Sequence, residues 1–208
     1  MNTYNVIVLI QGLSILILAV GAIYLISNWR GKEHSYLVLF CIATLVNNIG
    51  ALIEIIAHEK EQILIGTKFS YVGKVFIPLT FFLFIMQYCE IKISKKVQLL
   101  LVFFHLSIAL MVFSYPLQRW FYTDVGYSTD GLFPHNIYGH GVMYNIYTVC
   151  LVLYFIAIFV VVVGILRKEK RKKRRIQMYY MLACAVCAIA GFVVFLLGVT
   201  GGYDTTSL

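Results

Sequence analysis

Charge is scarce in this chain. Only 12% of its 208 residues are Asp, Glu, Lys or Arg, and Asp and Glu together number 9, while 61% are hydrophobic. No water-soluble core of this size needs so much apolar surface, so the soluble globular classes are excluded. Proline is scarce too, at 3 residues, which leaves long helices uninterrupted. No G-x-S-x-G, H-E-x-x-H or phosphate-binding Walker loop occurs, and no helix carries paired carboxylates. The chain therefore reads as a non-enzyme without cofactor or metal. Its 5 cysteines, Cys41, Cys89, Cys150, Cys184 and Cys187, lie in apolar runs or at the end of one, so they read as small buried hydrophobes and not as a disulfide framework. Cys184 and Cys187 form a C-x-x-C without a partner pair, a weak basis for redox or metal chemistry. No basic segment precedes the first apolar run and no small-residue cleavage site follows it, which makes that run a retained helix and not a signal peptide.

What is present is a series of apolar runs of membrane-spanning length, each near the ~20 residues a bilayer requires. Six are predicted as helices, at 6–26, 36–57, 63–88, 97–113, 142–166 and 176–199. The fold class is thus all-α, a polytopic transmembrane bundle. Orientation follows from Lys and Arg in the short connections. The first offers Arg30 and Lys32, the third Lys92, Lys95 and Lys96, and the fifth eight within Arg167–Arg175; the opposite side has Lys60 and Arg119. The N-terminus is therefore expected outside, in a multi-pass protein of the plasma membrane. The dense basic run is too local for a nucleic-acid face and fits a loop lying against anionic lipid. On the outer side, the long loop 114–141 is rich in aromatic residues, among them Trp120, Phe121, Tyr122, Tyr127, Phe133 and Tyr138. Two readings stay open for it, an interfacial aromatic belt or a lid over a binding site.

A charge inside a spanning helix costs about 2.5–3.5 kcal/mol on insertion scales and faces a bundle interior or a wet cavity. Lys68 and Lys74, on the third helix, are such charges, and Glu54, on the second, is the carboxylate of the other runs. Asn47 and Glu54 share a face of their helix by spacing. At ~1.5 Å rise per residue, Glu54 and Lys68 lie about 6 and 8 Å from the outer edge, while Asn47 and Lys74 lie about 16 Å deep. Depth thus pairs Glu54 with Lys68, and Lys74 with Asn47 or Asn48. The pair is either a structural ion bridge or part of an outward-opening cleft, and the two are compatible. In the cleft reading Asn47, Asn48, Glu54, Lys68, Tyr71 and Lys74 bind a small extracellular ligand with an anionic group, Lys74 being the anion partner. Pro78, in mid-helix, removes a backbone hydrogen bond and gives a hinge or a static bend. His105 reads as a hydrogen-bonded interior residue, and His135 and His140 as ordinary loop residues.

The third helix, with Tyr71, Gly73, Pro78, Phe82, Phe84 and Tyr88, resembles the signature helix of the seven-transmembrane N-terminal sensor region of bacterial histidine kinases and diguanylate cyclases. Tyr138-Gly139-His140-Gly141, leading to Tyr144 and Tyr147, is similar to that family's entry to its fifth helix. Arg174-Arg175-Ile176-Gln177 resembles its basic turn before the sixth, and Gly201–Thr206 its polar link before the seventh. The resemblance implies a sensory region of a two-component or cyclase receptor, with a cytoplasmic effector domain in cis and a possible homodimer. It also implies that a seventh helix is missing from these residues by truncation. The competing expectation is a complete six-helix small-molecule transporter or channel, for which the apolar inner halves of the helices offer no polar path.

Overall fold

The computed structural model describes residues 3–29, 31–130 and 133–196. Helix α1 spans Thr3–Ser27, α2 Lys32–Ile56, α3 Lys60–Lys74, α4 Phe76–Tyr88 and α5 Lys95–Phe113; strands β1 (Tyr122–Ser128) and β2 (His135–His140) follow, then α6 (Val142–Leu166) and α7 (Lys172–Leu196). Five helices among the described residues are long and apolar enough to cross a membrane, with α3 and α4 together making one of them, Lys60–Tyr88. The expected closing segments of the last helix and the Gly201–Leu208 tail lie outside the described residues. The all-α membrane bundle is the fold found.

Lipid is the solvent that explains the surface. On α1 the described side chains that are buried are Gln11 and Ala22, whereas Leu16, Ile17 and Ile23 stand exposed. Such a helix has no reason to hide apolar side chains where the surrounding medium is equally apolar. Cys184 and Cys187 are exposed in the same way on α7. The expectation that every cysteine is buried therefore fails for these two, although Cys89 is buried.

Between helices the interior is held by close approach and by polar contacts. On α3, Gly66 and Gly73 turn toward α2, and a Cβ on Gly73 would lie 2.1 Å from the Ala43 carbonyl oxygen. Small residues at seven-residue spacing thus let the two backbones touch, the usual device where no hydrophobic effect drives helices together. Beside this contact the Ser70 hydroxyl donates to Asn47 Oδ1 at 2.7 Å.

Loop 114–141, expected without regular structure, contains an antiparallel hairpin with Val125 opposite Tyr138 and Ser128 opposite His135. Tyr127 Oη donates to the His58 carbonyl at 2.8 Å, and Asn136 Nδ2 to the Lys60 carbonyl at 3.2 Å. These bonds seat the hairpin on the α2–α3 turn. At the other end of the bundle, Arg174 donates to the Tyr88 carbonyl and to Glu90, both at 3.0 Å, and lies 3.5 Å from Glu169. Tyr88 Oη donates to Gln177 Oε1 at 2.7 Å. The third and fifth connections are thereby latched together.

Within that latch Glu169 has a pH signature. Hydrogen bonds from the Arg171 side chain and backbone hold its carboxyl down at about 2, from an ordinary 4.5. A folded value below the unfolded one means the contribution is complete above about pH 4.5 and is lost as pH falls toward 2. Melting curves between those limits should show a decline in wild type that Glu169→Gln lacks.

Candidate functional site

Of the six residues predicted for the site, the structure brings three together. Glu54, Tyr71 and Lys74 meet where α2 and α3 pass beneath the hairpin. Glu54 fits there because Gly66 leaves room: a Cβ at Gly66 would lie 2.8 Å from Glu54 Cγ. The carboxylate attracts Lys74 and interacts with the Thr67 hydroxyl. Lys74 Nζ lies over the Tyr71 ring, 5.3 Å from its centroid, within the range of a cation–π contact.

The other three residues serve elsewhere. Lys68 Nζ donates to the Tyr115 carbonyl at 2.8 Å. Asn47 accepts from Ser70 as described, and Asn48 Oδ1 and carbonyl oxygen each accept from Gln11 Nε2 at 3.0 Å, fastening α1 to α2. The expected pairing of Glu54 with Lys68, and of Lys74 with the asparagines, is thus corrected to Glu54 with Lys74. Side-chain direction explains the change. Helical side chains lean toward the N-terminus of their own helix. On α3 this carries both lysines toward the hairpin end, Lys68 up to the loop and Lys74 up past Tyr71. On the antiparallel α2 it carries Glu54 the opposite way, toward Lys74.

Residues of the hairpin and of α6 pack around Tyr71. Tyr122 stacks on Tyr138 with centroids 4.5 Å apart, and Tyr71 meets the edges of Phe121 and Tyr122 at 5.5 and 6.0 Å. The Tyr138 hydroxyl shares a hydrogen bond with Thr67 and accepts one from Asn136 Nδ2 at 3.4 Å. His140 stacks on Tyr144 at 3.7 Å. Burial, and next to it the negative charge of Glu54, raises the Tyr138 phenol far above its ordinary value. Burial also raises Tyr122 and lowers His140. The phenols are therefore neutral hydroxyl groups at any physiological pH, and His140 is a neutral ring at pH 7. Thr67 went unrecognised as a site residue in the sequence, and Tyr122 and Tyr138 were read only as part of the aromatic loop. The signal available was the small-residue series Gly66, Ser70 and Gly73, which marks the face of α3 turned to α2.

The predicted hinge lies three residues from where the helix breaks. Regular α-helix is interrupted at Val75, whose φ and ψ remain helical at −66° and −29°. Pro78 is still the cause of the interruption, because it has no N–H to give to the Lys74 carbonyl. That carbonyl accepts instead from the Tyr147 hydroxyl on α6, at 3.4 Å. Pro78→Ala should restore the missing bond and raise stability by about 1 kcal/mol. Thermal unfolding in detergent checks it, and an unchanged melting temperature would assign the break to packing around Val75.

His105 lies fully buried among Phe76, Phe104, Tyr147 and Tyr154, its Nδ1 2.9 Å from the Leu101 carbonyl oxygen, while its Nε2 has no hydrogen-bond partner. Among the described residues no three His, Cys, Asp or Glu side chains come together as metal ligands.

The architecture agrees with what the comparison with protein families finds. Residues 10–208 match the family described as the N-terminal 7TM region of histidine kinase. No curated protein and no solved structure matches the chain. The matched stretch takes in every helix of the bundle and the hairpin, and the chain belongs to the family of N-terminal 7TM regions of histidine kinases, a membrane sensory region.

Proposed function

We propose that this sensory region binds a small ligand from the outer side of the membrane, at the Glu54–Lys74 pair beneath the tyrosine hairpin, and passes a shift of the third span to a cytoplasmic effector in cis. The observation that carries the reading is the place of Lys74. Its ammonium meets Glu54 and the Tyr71 ring, and its own carbonyl is the one that Pro78 leaves for Tyr147. A ligand at the pair therefore acts on the residue next to the interruption of the span at Val75. Beyond the break, α4 packs Ile85, Met86 and Cys89 against Ile158 and Val162 of α6 and Met178 of α7, next to the basic latch. The excess of Lys and Arg at the latch end favours that end as cytoplasmic and the hairpin end as outer.

A ligand moves such an equilibrium only by its differential affinity for the two states. An anionic group at Lys74, with Tyr71 as a hydrogen-bonding wall and the hairpin as cover, supplies it. Asn47, Asn48 and Lys68 belong to this site as its scaffold, holding α1, α2 and the loop in register around it. The test is autophosphorylation of the gene's full product in right-side-out vesicles, with the fraction below 1 kDa of spent culture medium added outside. Wild type should change its rate and Lys74→Met should not, with membrane insertion of both intact. Equal dose-responses would remove Lys74 from the site.

A further inference from the structure

We infer that the latch end of the bundle is a single binding surface for anionic phospholipid headgroups, built jointly from residues 89–96 and 167–175. The basic run at 167–175 by itself fits a loop lying against lipid; the fold adds a second segment to it. Together the two segments carry eleven Lys and Arg but only two carboxylates, Glu90 and Glu169. Both carboxylates are engaged. Glu169 lies 3.1 Å from Arg171 and 3.5 Å from Arg174, and Glu90 lies 3.0 Å from Arg174. The other nine cations, Lys92, Lys95 and Lys96 among them, all stand exposed. What brings the two segments together is packing as well as charge. Arg174 donates to the Tyr88 carbonyl at 3.0 Å and lies over the Tyr88 ring, 5.5 Å from its centroid, while Ile93 packs in the cluster that holds Met178 of α7. The chain also reverses sharply at the latch. Glu90 has φ 60°, and the Ile91 N–H reaches back to the Met86 carbonyl at 2.9 Å. Glycine is the ordinary residue at such a helix end. Here the position is held by the glutamate that receives Arg174.

These cations do not serve the helices they open. Neither α5, which begins with Lys95 and Lys96, nor α7, which begins with Lys172 and Lys173, has an acid in its first turn. A helix start favours acids and disfavours cations, and like charges gathered on one surface repel one another. An anion from outside relieves both. The depth of the surface says which anion. Lys95 and Lys96 open a helix that is long and apolar enough to cross the membrane, and Arg167 and Lys168 directly follow the end of another, so the charges stand at headgroup level. A turn or so farther in, Leu99 and Leu100 on α5 and Ile176, Tyr179 and Tyr180 on α7 are exposed. A soluble polyanion could match the charges but has nothing to lay against this apolar rim. A phospholipid supplies phosphate for the one and acyl chain for the other. Each Lys or Arg near an anionic membrane adds about fivefold in affinity.

The full chain, purified in an uncharged detergent at low salt, is melted while phosphatidylglycerol is titrated in. Phosphatidylcholine, inorganic phosphate and a short DNA duplex are the comparisons. Phosphatidylglycerol should stabilise at a concentration at least tenfold below any of these, and added salt should weaken it. The combined variant Lys92→Gln, Lys95→Gln, Lys96→Gln should lose at least tenfold in that affinity, and so should Lys170→Gln, Lys172→Gln, Lys173→Gln. Since all six side chains are exposed, both variants should melt like wild type before lipid is added. Lys60→Gln with Arg119→Gln, at the hairpin end, should bind phosphatidylglycerol as wild type does. Unchanged affinity in the first triple variant would overturn the joint surface and leave the basic run alone against the membrane. Phosphatidylcholine or inorganic phosphate acting at the same concentration would overturn the anionic headgroup as its partner. Stabilisation by DNA and not by phosphatidylglycerol would overturn it in favour of a soluble polyanion.

Discussion

Gly73→Val should destabilise the bundle by about 3 kcal/mol or more, beyond the ordinary range for overpacking, and lower its melting temperature by roughly 6–12 °C. The reason is that the obstacle is backbone. A Cβ at Gly73 would lie 2.1 Å from the Ala43 carbonyl oxygen and 2.6 Å from the Asn47 backbone nitrogen. Neither atom can turn aside as a side-chain tip would. The helices must separate, and separation stretches the 2.7 Å bond from Ser70 to Asn47 as well. Gly12→Val is the matched control, since nothing lies within 4 Å of a Cβ there. Valine at position 12 points toward lipid and should leave the melting temperature unchanged. If both variants melt like wild type in detergent, the α2–α3 contact does not hold the bundle together.

What the sequence made legible was set by the membrane. A bilayer demands long apolar runs and penalises charge inside them, so the membrane bundle and the intramembrane charges Glu54 and Lys74 could be read directly. Partnership could not. Depth along the axis was counted from Cα positions, but on antiparallel helices a lysine and a glutamate side chain lean toward one another by several ångströms each, which together closes the difference of roughly 10 Å counted for Lys74 and Glu54. The hairpin was concealed for another reason. Its strands carry Gly126, Gly139 and two histidines, and where they pair Tyr122 stacks on Tyr138. Strand preference of this kind is a property of the surface beneath and not of the segment. The cysteines of α7 mislead because burial is the wrong expectation for an apolar side chain whose solvent is lipid. The helix break could be read from Pro78 but lies earlier in the chain, since the bond a proline removes belongs to the residue four positions before it, here Lys74.

Lys74→Met should cost about 3 kcal/mol, because removing one partner of a buried charge pair leaves the other uncompensated. The double variant Glu54→Gln, Lys74→Met should recover most of that loss, since replacing both members of such a pair is often neutral. Glu54→Gln alone should be destabilising in its turn, with Lys74 then the stranded charge. A coupling of about 2 kcal/mol or more between the two positions is the expected result, measured by chemical or thermal unfolding of the four proteins in the same detergent. Additive effects would mean that the two charges do not depend on one another, and the proposed site would lose its centre. The same cycle separates folding from sensing. The double variant is as stable as wild type but has neither charge to offer a ligand, so its kinase should be well folded and unresponsive. A response retained in the double variant would place recognition among the tyrosines of the hairpin. A response lost in Lys74→Met and regained in the double variant would show that stability alone, and not the ammonium, was what the single substitution removed.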